Sequence, residues 1–109
     1  MKITEIDESN RYVTLVNTFT VTPDRQQELV DLLNEATEKS MRHRPGFVSA
    51  SIHQSLDGTR VVNYAQWATE HDFQQMLADE EARKHMGRAA SLAQADPHLY
   101  RVVKAHRPE

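Results

Sequence analysis

The sequence of 109 residues predicts one α+β domain, because segments with strand character alternate with segments with helix character. Runs rich in β-branched and aromatic residues occur near both ends and twice in the middle. Stripes of apolar residues at helical spacing separate the outer runs from the middle pair. The pair Asp57-Gly58, a strong hairpin signal, joins the two middle runs. The order β-α-β-β-α-β therefore predicts a ferredoxin-like antiparallel sheet with helices on one face.

The first strand is predicted over residues 12–21, where β-branched and aromatic residues dominate. A helix is predicted from Thr22 to about residue 43, because Thr22 can cap it and Pro23 suits its first turn. It should end at Arg44-Pro45-Gly46, since proline disfavours helix at the residue before it. Its apolar stripe consists of Leu29, Leu32, Leu33 and Ala36.

The middle strands are predicted over residues 47–55 and 60–68, paired antiparallel through the Asp57-Gly58 turn. The second of them places Asn63 and Trp67 on one otherwise apolar face, because strand side chains alternate. An unpaired polar group on a buried face costs roughly 1–3 kcal/mol. This face therefore indicates a cavity in which the hydrogen-bonding groups of Asn63 and Trp67 have a function.

The second helical region is predicted over residues 70–94, with a bend near Asp79, because two separate apolar stripes occupy it. Asp96-Pro97 is expected to stop this region, and the last strand is predicted over residues 98–106. One layer of helices leaves the other face of the sheet uncovered. Small sheets of this kind often bury that face by dimerising, so we expect a homodimer.

Composition excludes several classes of function. The net charge is −3 and the 13 lysines and arginines are scattered, so no surface for nucleic acid is predicted. The chain has no cysteine, which excludes disulfides, thiolate metal sites and cysteine nucleophiles. No apolar run of about 18 residues and no leader-like segment occurs, so we expect a cytoplasmic protein without a membrane span. Residues 1–10 are expected to form a flexible arm before a single domain over residues 11–107.

Strand alternation also predicts which polar side chains meet. Asn17 shares a face of the first strand with Leu15 and Phe19, the larger apolar side chains that the helices should cover. We therefore expect Asn17, Asn63 and Trp67 to line one pocket between sheet and helices. Positions that could add to the pocket are His53 on the second strand and, on the later helices, Phe73, Met76, Arg83, His85 and Arg88.

Each of these residues also has a purely structural interpretation. A single tryptophan is most often part of the core, with its N–H bonded to a carbonyl group. Histidines at a strand end or on a helix are more often exposed or hydrogen-bonded than ligands. No spacing of His, Asp and Glu predicts a zinc or iron site, and three glycines predict no phosphate or dinucleotide loop. We therefore expect neither a metal nor a cofactor.

Three segments give the chain a family resemblance over about residues 12–106. They are Val16-Asn17-Thr18-Phe19-Thr20-Val21, then Arg44-Pro45-Gly46-Phe47-Val48-Ser49-Ala50, and Asp57-Gly58-Thr59 followed by Val61-Val62-Asn63-Tyr64-Ala65-Gln66-Trp67. On these the chain resembles the antibiotic biosynthesis monooxygenase family, and most of all its cofactor-independent, quinone-forming (anthrone) monooxygenases of aromatic polyketide pathways. The resemblance implies a homodimer that forms a dimeric α/β barrel, with a pocket in each subunit for a small aromatic substrate and O2.

The resemblance further implies catalytic roles for Asn17, Asn63 and Trp67. They match an Asn on the first strand and an Asn and a Trp on the third strand of such enzymes. Asn63 and Trp67 would hold the substrate oxygen and a peroxy intermediate through hydrogen bonds, while Asn17 would orient the substrate.

The chain departs from the family pattern where a proton is relayed. Phe73 stands where some members have a Tyr, and Arg83 and Arg88 flank the place of a later Arg. The general base is therefore left open, with His53 as the best candidate by residue type.

Two alternative functions stay open. Relatives with this fold degrade haem with an Asn, a Trp and a proximal His; Asn17 and His85 lie near two of these places, whereas Met76 occupies that of the Trp. The other alternative is a non-catalytic αβ dimer that binds a small ligand. A tightly filled core around Trp67 would favour a protein without chemistry, and an open cavity a ligand site.

Overall fold

A four-stranded antiparallel sheet with strand order β2-β3-β1-β4 forms one layer of the structure, a computed structural model that describes residues 2–109. Its strands are β1 Val13–Thr20, β2 Phe47–Gln54, β3 Arg60–Trp67 and β4 Gln94–Tyr100. The helices are α1 Gln26–Lys39, α2 Glu70–Leu77 and α3 Glu80–Leu92. This element order and pairing confirm the predicted ferredoxin-like fold.

All three helices pack on one face of the sheet, where the apolar residues of alternating strand positions meet the helical stripes. One buried cluster joins Leu15, Ala65, Trp67, Phe73, Met76 and Ala82. The other joins Phe19, Val21, Leu29, Leu33, Val61 and Ala89. The strand residues in both clusters have the same parity as Asn17 and Asn63, so these two amides lie under the helices.

Side-chain caps divide the second helical region in two, which confirms the predicted bend near Asp79. Thr69 Oγ1 accepts a hydrogen bond from the Asp72 N–H at 3.0 Å and caps α2. Asp79 Oδ2 accepts from the Ala82 N–H at 3.0 Å and caps α3. Asp79 also pairs with Arg44 at 3.4 Å, which ties this bend to the loop before β2.

The first helix is shorter than predicted. Thr22 makes no capping hydrogen bond, and Pro23–Arg25 form a single 3₁₀ turn before α1 begins at Gln26. A second 3₁₀ turn, Met41–His43, follows the end of α1. Short 3₁₀ turns are common at helix ends, where the intrahelical partners run out.

The prediction for the last strand is wrong in its position. β4 begins at Gln94 and ends at Tyr100, so Asp96-Pro97 lies inside it instead of stopping the preceding helix. β4 is an edge strand that pairs only with β1, and an edge tolerates a proline because one side of the strand needs no N–H donor. Residues 101–109 have no helix or strand.

The predicted hairpin between β2 and β3 is confirmed, and one carboxylate organises it. Asp57 Oδ1 accepts hydrogen bonds from the Thr59 hydroxyl at 2.7 Å, the Ser55 hydroxyl at 2.8 Å and the Thr59 N–H at 3.0 Å. Gly58 follows with a φ of 81°, in the left-handed region that side chains disfavour. The bonds from Thr59 and then Ser55 lower the pKa of Asp57 to about 2.

The second face of the sheet is partly covered by the chain that precedes β1. Gln66 Nε2 donates to the Glu5 carbonyl at 2.7 Å, and its Oε1 accepts from the Ser49 hydroxyl at 3.1 Å. Thr14 and Gln66 are buried at this end of the face. Farther along, Val16 and Tyr64 are only half-buried. The predicted flexible arm stays a prediction, and no helix within residues 2–109 is long and apolar enough to cross a membrane.

Candidate active site

A cavity of about 440 Å³ lies between the sheet and the helices. Nearly all of the side chains around it are apolar. Its wall is formed by Leu15, Phe19, Leu33, Ala36, Thr37, Met41, Phe47, Ala50, Ala65, Phe73, Met76, Leu77, Met86, Ala89, Ala90, Ala95, Pro97 and Leu99. The polar residues with carboxamide or ring nitrogens are Asn17, Asn63, Trp67, His85 and His98.

The structure brings Asn17, Asn63 and Trp67 to this one cavity, as strand alternation predicts. Asn17 on β1 and Asn63 on β3 are direct partners in the antiparallel register. Trp67 lies four residues beyond Asn63 and therefore on the same face of β3. Because β1 and β3 are the two central strands, both amides are held by paired backbone on each side.

Several polar atoms of these residues are buried without a hydrogen-bond partner. They are Asn63 Oδ1, Trp67 Nε1 and both ring nitrogens of His85. Most buried polar groups are paired, and an unpaired one costs about 1–3 kcal/mol. A cluster of them around one apolar cavity is the pattern expected of a binding site whose polar partner is a ligand.

Asn17 differs because one end of its amide is already used. Its Oδ1 accepts a hydrogen bond from the Asp96 N–H of β4 at 3.2 Å. The residue opposite Asn17 in β4 is Pro97, which has no N–H to give to the ladder. The side chain of Asn17 therefore adds a hydrogen bond that helps to hold the edge strand beside Pro97.

Two phenylalanines fix the indole of Trp67. Phe47 lies edge-on to it with ring centroids 5.6 Å apart, and Phe73 lies edge-on at 6.2 Å. Such pairs favour one ring orientation. Trp67 is fully enclosed, with 1% of its surface exposed. Phe73, the residue at the place of a Tyr in some relatives, thus supports the indole and lines the cavity with Met76.

His85 is a buried histidine on α3 that faces the same cavity. Ala82, His85 and Ala89 are the buried residues of this helix, spaced three and four apart. The nearest carboxylate oxygen belongs to Glu81, 3.9 Å from His85 Nε2, which is too long for a hydrogen bond. Its spacing of three residues from Ala82 and four from Ala89 is the signal that could have separated His85 from its exposed neighbours in the sequence.

The structure does not bring His53, Arg83 or Arg88 to the cavity. All three are exposed. A bulge between Phe47 and Ser49 shifts the register of β2, so that Ala50 faces the cavity and His53 points to the opposite face of the sheet. Arg83 and Arg88 lie on α3 beyond the buried stripe that contains His85.

Sequence reasoning missed the cavity wall formed by Ala50, Met86, Ala90 and the apolar residues of β4. Ala50 faces the cavity only because of the bulge in β2. The β4 residues reach the cavity because that strand begins earlier than predicted. Within the part of the chain that the structure describes, no three His, Asp or Glu side chains are grouped as a metal site would require.

Comparisons with known proteins found a matching family model, a relative and similar solved structures. The model of the antibiotic biosynthesis monooxygenase family matches residues 12–88. The tetracenomycin-F1 monooxygenase of Streptomyces glaucescens is 50% identical over 84 residues, which cover 77% of this chain and 75% of that protein.

Two solved structures are similar over nearly the whole chain. A monooxygenase from the gene ActVA-Orf6 of Streptomyces coelicolor, in complex with Nanaomycin D, is 30% identical with a TM-score of 0.79, covering 94% of this chain and 96% of that one. SnoaB, a cofactor-independent oxygenase from Streptomyces nogalater, is 25% identical with a TM-score of 0.73, covering 90% and 98%.

Proposed function

The chain belongs to the antibiotic biosynthesis monooxygenase family, and we propose that it is a cofactor-independent monooxygenase that oxidises an electron-rich, anthrone-like aromatic to a quinone with O2. The observation that carries this proposal is the set of unpaired polar atoms on Asn63 and Trp67 around an apolar cavity. Its volume of about 440 Å³ lies within the usual range of small-ligand sites. A filled core around Trp67 would have been evidence against a ligand site.

The relatives support the same class of reaction. The tetracenomycin-F1 monooxygenase is named for oxidation of its substrate, and SnoaB is described as a cofactor-independent oxygenase. The ActVA-Orf6 monooxygenase was solved with Nanaomycin D bound. We extend this oxygenase chemistry to the present chain because its own polar residues are arranged for it.

Such a reaction requires few functional groups from the protein. Dioxygen is a triplet and reacts slowly with closed-shell molecules, so enzymes normally use a metal or flavin to supply single electrons. An anthrone can supply them itself once it has lost a proton. The protein then needs an apolar pocket, a proton acceptor, and donors that face the oxygen on which negative charge develops.

We assign these tasks to the cavity residues. Trp67 Nε1 donates to the substrate oxygen that becomes negative, and the Asn63 amide binds the substrate or the peroxy group that follows. Asn17 orients the substrate with the end of its amide that Asp96 does not use. The apolar wall keeps water away, which strengthens each of these interactions.

The test is oxygen consumption by chelator-treated protein with a dithranol-like anthrone. We expect quinone formation well above the uncatalysed background, with one O2 consumed per quinone, and no quinone under anaerobic conditions. A rate equal to the protein-free background, or a rate that rises with added metal, would contradict the proposal. Catalase in a parallel reaction excludes free hydrogen peroxide as the oxidant.

We also propose that two copies pair through the second sheet face. Val16 and Tyr64 are cross-strand neighbours on this face and remain half-buried in the single chain. Helices cover the opposite face, so the second face is the broad surface of the sheet that is left for a partner.

A further inference from the structure

We propose that His85 is the catalytic base that takes the proton from the substrate and later returns it to the peroxide. This inference rests on the proposed oxidation and names the proton acceptor that the reaction requires. Two residues with a titratable side chain border the cavity, His85 and His98. An imidazole is the side chain that changes its charge near neutral pH.

His85 and His98 differ in their surroundings. His98 is exposed, and its Nε2 already lies 2.8 Å from Asp96 Oδ1. It pairs with Val16 in the register, which turns its side chain toward the second sheet face. His85 is 8% exposed, and neither of its ring nitrogens has a hydrogen-bond partner.

Burial also separates His85 from every other histidine of the chain. All six histidines lie in the described residues, and the other five are exposed. Those five are His43, His53, His71, His98 and His106. A structural core histidine would be expected to use its nitrogens in hydrogen bonds. A buried, unpaired imidazole beside a cavity is instead free to bond a ligand.

Two carboxylates lie near the His85 ring. Glu81, one turn earlier on α3, lies 3.9 Å from Nε2. Glu35 on α1 is within electrostatic range: the Lys39 hydrogen bond is the main cause of its lowered pKa, and His85 and Arg88 contribute weaker attraction. From β1, β3 and α2 the cavity residues are neutral, such as Asn63 and Phe73. The carboxylates near His85 therefore come from α3 and α1, and none of them is among the residues of the cavity.

The proposed step balances without a further reactant. An imidazole nitrogen of His85 takes a proton from the substrate CH2 carbon, so a C–H bond breaks and an N–H bond forms. The electron pair moves to the carbonyl oxygen that Trp67 Nε1 faces. O2 then oxidises this carbon and forms a C–O bond, and the imidazolium returns its proton to the distal oxygen. Loss of water, with cleavage of the second C–H and the O–O bond, leaves the new carbonyl group.

This assignment replaces His53, the proton acceptor that the sequence suggested. His53 lies on the far side of the sheet because of the β2 bulge. Phe73 occupies the position of a Tyr in some relatives and lines the cavity, but its side chain has no group that can exchange a proton. His85 occupies the helix above the sheet residues Asn63 and Trp67, and all three line one cavity.

The first experiment separates proton transfer from oxidation. Wild-type protein is mixed with a dithranol-like anthrone without oxygen, and the absorbance of the anthrone anion is recorded. We expect the anion to form with wild type and with the control His71→Gln, whose histidine is exposed on α2. His85→Gln should bind the anthrone but leave it neutral. Equal anion formation in His85→Gln would overturn the proposal.

The second experiment measures turnover in air. We expect His85→Gln to lower kcat by about 10²-fold or more, with KM changed little, because general base catalysis typically contributes 10²–10⁴. Its residual rate should rise with pH, as hydroxide replaces the imidazole. Free imidazole should restore part of the rate in His85→Ala, which a merely structural role would not allow. Thermal melts establish that both variants are folded.

The outcomes distinguish this inference from the proposed function. If the protein ionises the anthrone through His85 but consumes no O2, the proposed monooxygenase function is contradicted, whereas the role of His85 as a base is retained. If the His85→Gln variant makes quinone as well as wild type and with the same pH profile, only the role of His85 as a base is contradicted. A haem Soret shift that occurs in wild type and is lost in His85→Gln would make the ring a haem ligand and overturn the assignment.

Discussion

Asn17 and Asn63 are direct cross-strand partners, so the two central strands bring their amides to the cavity side by side. Cβ atoms in such pairs are about 4.5–5.5 Å apart. Their hydrogen bonding differs: Asn17 Oδ1 accepts from Asp96, whereas Asn63 Oδ1 has no partner. One amide of the pair thus helps to hold the edge strand, and the other is left for a ligand.

Replacing Asn63 should separate stability from activity. In Asn63→Leu the unpaired Oδ1 is removed, so we expect the free energy of unfolding to stay level or to rise by about 1 kcal/mol. Quinone formation should fall by about 10²–10³, the usual effect of losing one such polar contact. Denaturant unfolding and oxygen uptake measure the two effects. A variant that is both less stable and fully active would contradict this reading of Asn63.

Replacing Trp67 by Phe tests the indole N–H apart from the ring. The edge-on contacts with Phe47 and Phe73 can persist, so we expect a loss of roughly 1–2 kcal/mol from the smaller ring. The rate should fall by about 10²-fold, since the donor to the developing oxyanion is gone. Phe47→Leu is the matched control for ring packing. If it slows the reaction as much as Trp67→Phe, the N–H is not the important group.

Asn17→Ala should loosen the edge strand. The Asp96 N–H loses its acceptor next to Pro97, so we expect a cost of about 1 kcal/mol and faster hydrogen exchange at Asp96. Asn17→Asp keeps an acceptor oxygen at this position and should restore the protection of that amide. Unchanged exchange at Asp96 in Asn17→Ala would show that the side chain does not hold β4.

The hairpin turn predicts a pH dependence of stability. The folded pKa of Asp57, about 2, lies below the usual 3.8, so its contribution is complete above 3.8 and is lost as the pH falls through about 2. Asp57→Asn keeps an acceptor for Thr59 and Ser55 but has no charge to lose. Its unfolding free energy should therefore change less than that of wild type between pH 5 and about 2. Parallel slopes for the two proteins would rule out this role.

The second sheet face predicts a variant that is monomeric. Tyr64→Glu places a charge on the half-buried part of this face, beside Val16, and should separate a dimer into folded monomers. Leu56→Glu, at a fully exposed position of the hairpin, should leave the assembly unchanged. Light scattering after size exclusion gives the mass, and circular dichroism shows that each variant is folded. A wild-type protein that is already monomeric would refute the dimer.

Much of the site followed from strand alternation alone. The parity of Asn17, Asn63 and Trp67 depends on local apolar patterns, so it was predictable without knowing which strands pair. The bend at Asp79 was equally local, because a capping carboxylate and two apolar stripes mark it.

The errors came from features that depend on tertiary context. No local pattern marks the bulge at Val48. The bulge nevertheless directs His53 to the face away from the cavity and places Ala50 at the cavity wall. Pro97 is acceptable in β4 only because that strand is at an edge, and its position in the sheet is not encoded nearby. The burial of His85 became decisive only once the cavity was seen to contain the unpaired atoms of Asn63 and Trp67.

The amide and indole groups proposed to hold the substrate and the two methionines of the cavity wall belong to different layers of the fold. Asn17, Asn63 and Trp67 are fixed on the two central strands, whereas Met76 and Met86 meet the cavity from the helices. Substitutions in the helical layer can therefore reshape the space for a new molecule without moving the sheet residues. A mutant library confined to Met76 and Met86, which leaves His85 in place, is where an altered substrate range should be sought.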